Sequence, residues 1–395
     1  MAGQSIYSNE PAFINRDKEL NELLHWINGK ANSILFVYGP KSSGKTTLLM
    51  KFIEKNLTNK QFSIKHFNLR KMLIANYSDF IQAFFETDYS NATEDIKQKR
   101  EYNLKLFKLS KEIKKSLENK TLDPFVVMEK ELLKIVKKGK RPVIIIDELQ
   151  ALEDIYLDGQ RELLKELFNF FVALTKESHL CHVIIASSDG YFMNRIYEDS
   201  KLAKTSEFFE VEYLNEKDIT QWLSHLKQES AINAYTLSLS QIKTIWKYLG
   251  GSVWEISKIL AELIPYADKK CIEDVCLMNT IERMITINKG KLNHYAKINK
   301  SKRALFKTLF SIQNKKATFD MNDLEILVNN GLYEETQLAD ELNNLVRLNV
   351  VAFNPTTSLY KLQGHSMFYG LKAYVENIVE DSHKTLENIK KDTHA

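Results

Sequence analysis

An α/β fold, a parallel five-stranded sheet with helices on both faces followed by a helical region and a winged-helix region, is the architecture this sequence predicts. Three observations carry it. Short continuous apolar runs, SILFVY at 33–38 and VIII at 143–146, read as strands buried on both faces, as in the interior of a parallel sheet. Those runs alternate with stretches whose apolar residues recur at helical spacing, the pattern of βα units. Beyond residue 214 the strand-like runs give way to amphipathic helical patterns.

Taken in order, Asn15 is placed to cap a helix through Asn28, with Leu20, Leu23, Leu24 and Ile27 as its apolar stripe and Gly29 as its end. The strand Ser33–Tyr38 follows, and then TTLLMKFIEKNL reads as helix. FSIKHFN at 62–68 alternates more than the other runs and suits an edge strand. HVIIAS at 182–187 and FFEVEYL at 208–214 complete a set of five with Val143–Ile146.

Two of these strands end in residues that carry chemistry. The first runs into Gly39-Pro40-Lys41-Ser42-Ser43-Gly44-Lys45-Thr46-Thr47, a G-x-x-x-x-G-K-[ST] pattern between a strand and a helix, which is the P-loop context. Glycines let backbone N–H groups turn toward phosphate oxygens, and a helix N-terminus adds donors and a positive dipole end. Lys45 supplies a charge for the β and γ phosphates, and the Thr46 hydroxyl a ligand for Mg²⁺. The run Val143–Ile146 ends in Asp147-Glu148-Leu149-Gln150, placing two carboxylates at the C-terminal end of a strand, where open α/β sheets bind ligands. Asp147 suits the magnesium shell; Glu148 suits orienting or deprotonating a water that attacks the γ-phosphate.

Ser187 ends the next strand and admits two readings: a polar group that senses the γ-phosphate, or part of a Ser-Ser-Asp-Gly turn. Arg195, soon after it, is read either as an arginine finger or as an ordinary surface charge. Asn68, at the end of the edge strand, admits two readings: an ordinary strand-end asparagine, or a restraint on Glu148 until a partner binds.

Composition narrows the classes. The chain has 395 residues, 44% hydrophobic and 27% charged, enough for two or three domains at roughly 100–200 residues each. No apolar run approaches the roughly 20 residues of a membrane-spanning helix, so no membrane association is expected. The start, MAGQSIYSNEPAF, lacks the apolar core of a secretory signal, and Cys181, Cys271 and Cys276 make no even disulfide framework; a reducing cytoplasm is expected. A net charge of +4 neither requires nor forbids a nucleic-acid partner.

The ordered set FINRDKELNELL, VYGPKSSGKTTLL, VIIIDELQAL, VIIASSD and LGGSVWEI resembles the predominantly archaeal ATPase family of the STAND and AAA+-related branch of P-loop proteins, over roughly residues 12–265. The resemblance implies ATP/ADP and Mg²⁺ as cofactors, and a strand inserted between the P-loop strand and the acidic strand. It also implies a helical lid and a C-terminal winged helix. The glycine-x-proline element often found in the lids of STAND proteins is replaced here by Gly250-Gly251-Ser252-Val253-Trp254.

The expected organisation is therefore a P-loop ATPase domain over 1–214, a helical lid over 215–298, a winged-helix domain over 299–381 and a flexible tail over 382–395. Trp222, Trp246 and Trp254 are expected in helix cores. The basic stretch at 97–120 shows a helical seam at Leu106, Leu109, Ile113 and Leu117, with its lysines on the opposite face, either simply solvated or following a phosphate backbone. In the winged helix, the third helix carries Glu334, Glu335, Asp340 and Glu341 against Arg347, so a groove-inserted role there is opposed by charge. Lys300, Lys302, Arg303, Lys315 and Lys316 remain as candidate phosphate contacts. An ATP-hydrolysing switch that docks a protein client or another copy of itself through the winged helix is the leading expectation. A nucleotide-regulated DNA-binding protein and a nucleotide-binding scaffold with little turnover stand beside it.

Overall fold

The computed structural model describes residues 13–87, 107–153, 155–157, 161–188, 190, 192 and 204–392. Two compact units divide the chain: Arg16–Gly39 with Lys45–Val211, and Met1–Asn15 with Pro40–Gly44 and Glu212–Ala395.

The first unit is built on five strands, β1 Ile34–Tyr38, β2 Phe62–Asn68, β3 Arg141–Asp147, β4 His182–Ala186 and β5 Ser206–Glu210. Their order is β2-β3-β4-β1-β5 and every ladder is parallel. β4 thus separates the P-loop strand β1 from the acidic strand β3, as the family resemblance implies, and β2 lies at an edge, as its alternating pattern predicts. β1 and β4 are buried along their whole length and Val143–Ile146 of β3 is at most 1% exposed, because the faces are covered by helices. α1 Asp17–Asn28 buries Leu20, Leu23 and Ile27; α2 Lys45–Asn56 buries Leu48, Leu49 and Phe52. Each such side chain withdrawn from water contributes about 1.5–3 kcal/mol before entropy is counted.

Two local expectations change. Arg16, not Asn15, is the N-cap of α1; Asn15 is left-handed (φ +44°), and its side-chain amide donates to Asp218 within the second unit. The seam from Leu106 to Leu117 is not one helix. Residues up to 106 lie outside the described set, Phe107–Leu109 is a short strand parallel to Phe85–Thr87, and the helix begins only at Lys111, capped by the Ser110 hydroxyl. A capping serine competes with helix continuation, which explains the break.

The second unit begins with helices Glu216–Ser224, Leu239–Leu249, Val253–Leu263 and Asp274–Ala296, around Trp222, Ile245, Leu249, Ile256, Leu260 and Ile281. Trp222 is fully buried, but Trp254 is 59% exposed with the Lys258 ammonium over its ring, contrary to the expected core position. Gly250 caps a helix at φ +59°, and a Cβ on Gly251 would lie 1.8 Å from the Leu214 carbonyl oxygen. These two glycines therefore answer to chain packing.

Further on come helices Lys300–Gln313, Glu325–Asn329 and Glu335–Arg347, then the antiparallel hairpin of β6 Val351–Asn354 and β7 Leu359–Leu362. Residues 215–298 and 299–381 fall in the same compact unit. The last helix is His365–Asp392, so the segment expected as a flexible tail continues a helix up to 392. Glu341 is not on the exposed face of its helix: it is 8% exposed and faces the Lys302 ammonium at 3.6 Å. Lys316 pairs with Asp323 at 2.5 Å and Arg303 donates to the Lys297 carbonyl, so three of the five basic groups expected to face phosphates are engaged within the chain.

Candidate active site

β1 delivers the chain to Gly39 at φ +147°, where a Cβ would lie 2.2 Å from the Val211 carbonyl oxygen. Only glycine fits. Along the loop, Ser42 (φ +66°) and Gly44 (φ +96°) are both at positive φ, and such reversals turn successive peptide groups into an anion-binding concavity. Ser42 does this without glycine's freedom, at a cost of roughly 1–2 kcal/mol. Pro40, Lys41, Ser42, Ser43 and Gly44 thus form the loop, and α2 opens at Lys45 with Thr46 exposed and Thr47 half-buried in its first turn.

Lys45 is 6% exposed and its Nζ donates to the Gly39 carbonyl at 2.9 Å. Burial pushes the ammonium down to about 8; Glu148 and Asp147 work against that, and Arg70 adds to it. A buried cation at the mouth of the loop is positioned for the charge a phosphate chain brings. Thr46 Oγ1 donates to Asp147 Oδ2 at 2.7 Å, joining the P-loop helix to the end of β3.

Glu148 lies one residue past β3 in the left-handed region, φ +65° and ψ +51°, with its N–H donating to the Ala186 carbonyl at 2.8 Å. A non-glycine residue held there is strained, and such strain collects at functional positions. Its carboxylate is gripped from three sides. Arg70 Nη2 approaches Oε1 at 2.5 Å, the Gln150 amide donates to Oε2, and the Ser188 hydroxyl donates to Oε1 at 3.3 Å. Ser187 is buried and donates to Gln150 Oε1 at 2.9 Å, so a chain of bonds runs Ser187, Gln150, Glu148, Arg70. Burial raises the Glu148 carboxyl above its ordinary range; the Arg70 cation is the largest effect opposing it.

The structure therefore brings Lys45, Thr46, Asp147, Glu148 and Ser187 together, while Arg195 lies outside the described residues. Asn68 is not the group that holds Glu148: its Oδ1 is buried with no hydrogen-bond partner. Arg70 does so from the 3₁₀ turn Leu69–Lys71 that follows β2. Sequence reasoning missed Arg70 because its side chain spans from one strand end to the next, a distance no local spacing encodes.

Comparison with known proteins gives the family. Residues 13–259 match the family described as an ATPase domain predominantly from Archaea. The chain belongs to this archaeal ATPase family. An ATP-binding protein of Methanocaldococcus jannaschii is 32% identical over 371 residues, 92% of this chain and 95% of that protein. A second from the same organism is 43% identical over 212 residues, of which the chain spans 62% of the length. The solved Walker-type ATPase of Pyrococcus abyssi superposes with a TM-score of 0.62 at 15% identity, over 93% of this chain and all of that one. The ORC2 protein of Aeropyrum pernix, in its ADPNP–ADP complexes, gives 0.53 at 11% identity over 95% and 98%. At these identities the two structures show the shared P-loop ATPase fold.

The donor set at the start of α2 and the end of β3 fits magnesium. Thr46 Oγ1 and Asp147 Oδ2 are 2.7 Å apart, close to the roughly 2.9 Å separating adjacent oxygens of an octahedron with 2.0–2.1 Å bonds, and Mg²⁺ commonly takes only one or two protein ligands.

Proposed function

We propose that this archaeal ATPase hydrolyses Mg-ATP as a switch whose basal turnover is held down by Arg70. The observation carrying this reading is the Glu148 carboxylate, adjacent in sequence to the metal-site Asp147 and clamped by Arg70, Gln150 and Ser188. The loop amides and Lys45 hold the phosphate chain; Thr46 and Asp147 would hold the magnesium ion, which when bound would supply positive charge against the phosphates. Released from Arg70, Glu148 accepts a proton from the water whose oxygen bonds to the γ phosphorus, while the bond from that phosphorus to the bridging oxygen breaks and ADP leaves. Ser187 orients Gln150 and, through it, Glu148. Arg195 remains the arginine-finger candidate.

Nucleotide state then governs closure of the helical lid at 215–298 and presents the winged helix at 299–381 to a protein client or a second copy. Engagement of Lys302, Arg303 and Lys316 inside the chain favours a protein partner over a DNA backbone. The inward turn of Glu341 removes one of the charges that oppose DNA, so duplex DNA belongs in the test. Equilibrium binding of Mg-ATP is measured for wild type, Lys45→Ala and Glu148→Gln, with and without duplex DNA. Loss of binding in Lys45→Ala with retention in Glu148→Gln is expected. Equal binding by Lys45→Ala would overturn the site assignment, and salt-sensitive DNA binding that depends on ATP would put the DNA-regulated reading first.

A further inference from the structure

Tyr213 belongs to the run FFEVEYL at 208–214 and was given no site role there, yet it touches the phosphate loop. Its phenol oxygen donates to the Lys41 carbonyl at 2.8 Å and has the Gln363 Oε1 as a second acceptor at 3.4 Å. Lys41, Tyr213 and Gln363 belong to the same compact unit. The surroundings hold the ring in place: Glu212 pairs with Lys361 of β7, and Gly364 packs against the ring, where a Cβ would sit 3.6–3.8 Å from its atoms. Gln363 is 9% exposed and its backbone N–H donates to the Val350 carbonyl at 2.9 Å, so its backbone is anchored just before the helix His365–Asp392.

The consequence follows from peptide planarity. In a trans peptide the C=O and the following N–H point in opposite directions. Drawing the Lys41 carbonyl toward Tyr213 therefore aims the Ser42 N–H the other way, and it does so at the residue whose φ of +66° a non-glycine side chain disfavours. One hydroxyl proton serves one acceptor at a time. Lys41 holds it at 2.8 Å, and Gln363 is the waiting alternative at 3.4 Å.

We infer that Tyr213 is a positioning residue for the phosphate-binding loop, and that Gln363 competes for its proton, so that the C-terminal hairpin end tunes how tightly the nucleotide's phosphate chain is held. This rests on the nucleotide-binding reading of the loop. It extends that reading to a group outside the P-loop and acidic motifs, and gives the C-terminal region a hydrogen-bonded route to the loop, from β7 through Gln363 and Tyr213.

The test is calorimetric titration of the full chain with ADP and with inorganic tripolyphosphate, which carries the phosphate chain alone. Tyr213→Phe keeps the ring and removes the donor; it should weaken both ligands by about tenfold, one hydrogen bond's worth. Two substitutions at Gln363 give opposite signs. Gln363→Glu, a stronger charged acceptor, should draw the proton off Lys41 and weaken binding several-fold. Gln363→Met removes the competitor and should bind at least as tightly as wild type. A purely structural role would make both Gln363 variants weaker in step with any loss of thermal stability, and that pattern overturns the inference even if Tyr213→Phe fails to fold. Binding by Tyr213→Phe within twofold of wild type overturns it as well. Wild type that binds neither ligand would instead sink the nucleotide reading of the loop, and this inference with it.

Discussion

Arg70 Nη2 lies 2.5 Å from Glu148 Oε1, an ion pair between the turn after β2 and the residue after β3 in which the glutamate side chain is 8% exposed and the arginine 55%. The acid is enclosed while its restraint faces solvent, so a partner can reach the arginine without entering the site. Arg70→Ala should raise basal phosphate release about three- to fivefold, the factor given by the ~0.6–1 kcal/mol of a half-exposed ion pair. Loss of the cation also removes the main influence that lowers the Glu148 carboxyl, so the acid limb of the kcat profile should move to higher pH. Turnover in Arg70→Ala as low as in Glu148→Gln would show that Arg70 takes part in the chemistry itself.

Gly39 and Gly44 both have positive φ, but their surroundings separate them. A Cβ at Gly39 would lie 2.2 Å from the Val211 carbonyl oxygen, whereas nothing lies within 4 Å of one at Gly44. Gly39→Ala should therefore lose about 3 kcal/mol or more in denaturant unfolding, from strain and overpacking together, and Gly44→Ala only about 1–2 kcal/mol. Similar losses in the two variants would contradict the close approach of Val211 to the loop.

Lys45 fixes a pH dependence for binding. Burial places its ammonium at about 8 instead of 10.5, so its charged form costs stability at all pH below about 8, and that cost fades as pH rises toward 10.5. Binding a phosphate chain needs the charge. ADP affinity should be flat from pH 6.5 to about 8 and then fall by up to tenfold per pH unit. In Lys45→Arg, always protonated, whatever affinity remains should not share that fall. A wild-type affinity unchanged between pH 8 and 10 would contradict the burial of Lys45.

His182 opens β4, 5% exposed, with the Trp26 ring edge-on at 5.1 Å. Burial holds its imidazole down to about 4 against an ordinary 6.5. The unfolded chain takes up this proton first, so the native state keeps its full stability above about pH 6.5 and loses it progressively toward pH 4. The loss should be on the order of 3 kcal/mol. Urea unfolding of wild type and His182→Phe between pH 4.5 and 7.5 checks the sign: the wild-type decline should be steeper. Parallel curves would place the imidazole in water.

Much of this was legible in the sequence, for identifiable reasons. Continuous apolar runs such as Ile34–Tyr38 and Val143–Ile146 have no solvent-facing residue. At four to five residues, rich in β-branched or aromatic side chains, they are too short for a buried helix and suit a strand covered on both sides. The glycines and lysine of the P-loop report local backbone needs, and the carboxylates at Asp147 and Glu148 follow a strand end directly. What stayed hidden depends on distance in the chain. Arg70 reaches Glu148 across 78 residues and Tyr213 reaches Lys41 across 172, contacts that strand order creates and spacing does not. Glu341 looked like surface charge because burial of an acid depends on Lys302 packing beside it. The helical seam through Leu109 failed because a capping serine at Ser110 outweighed apolar periodicity.

The central claim is hydrolysis through Glu148. The most direct measurement is steady-state phosphate release from Mg-ATP by wild type and Glu148→Gln, both first shown to bind ATP equally. Wild-type release that falls at least about a hundredfold in the variant, the scale expected when a general base is removed, is the result expected. Equal release from both proteins, or none from wild type with ADP retained, would contradict it; the latter would mark the protein as a nucleotide-dependent scaffold.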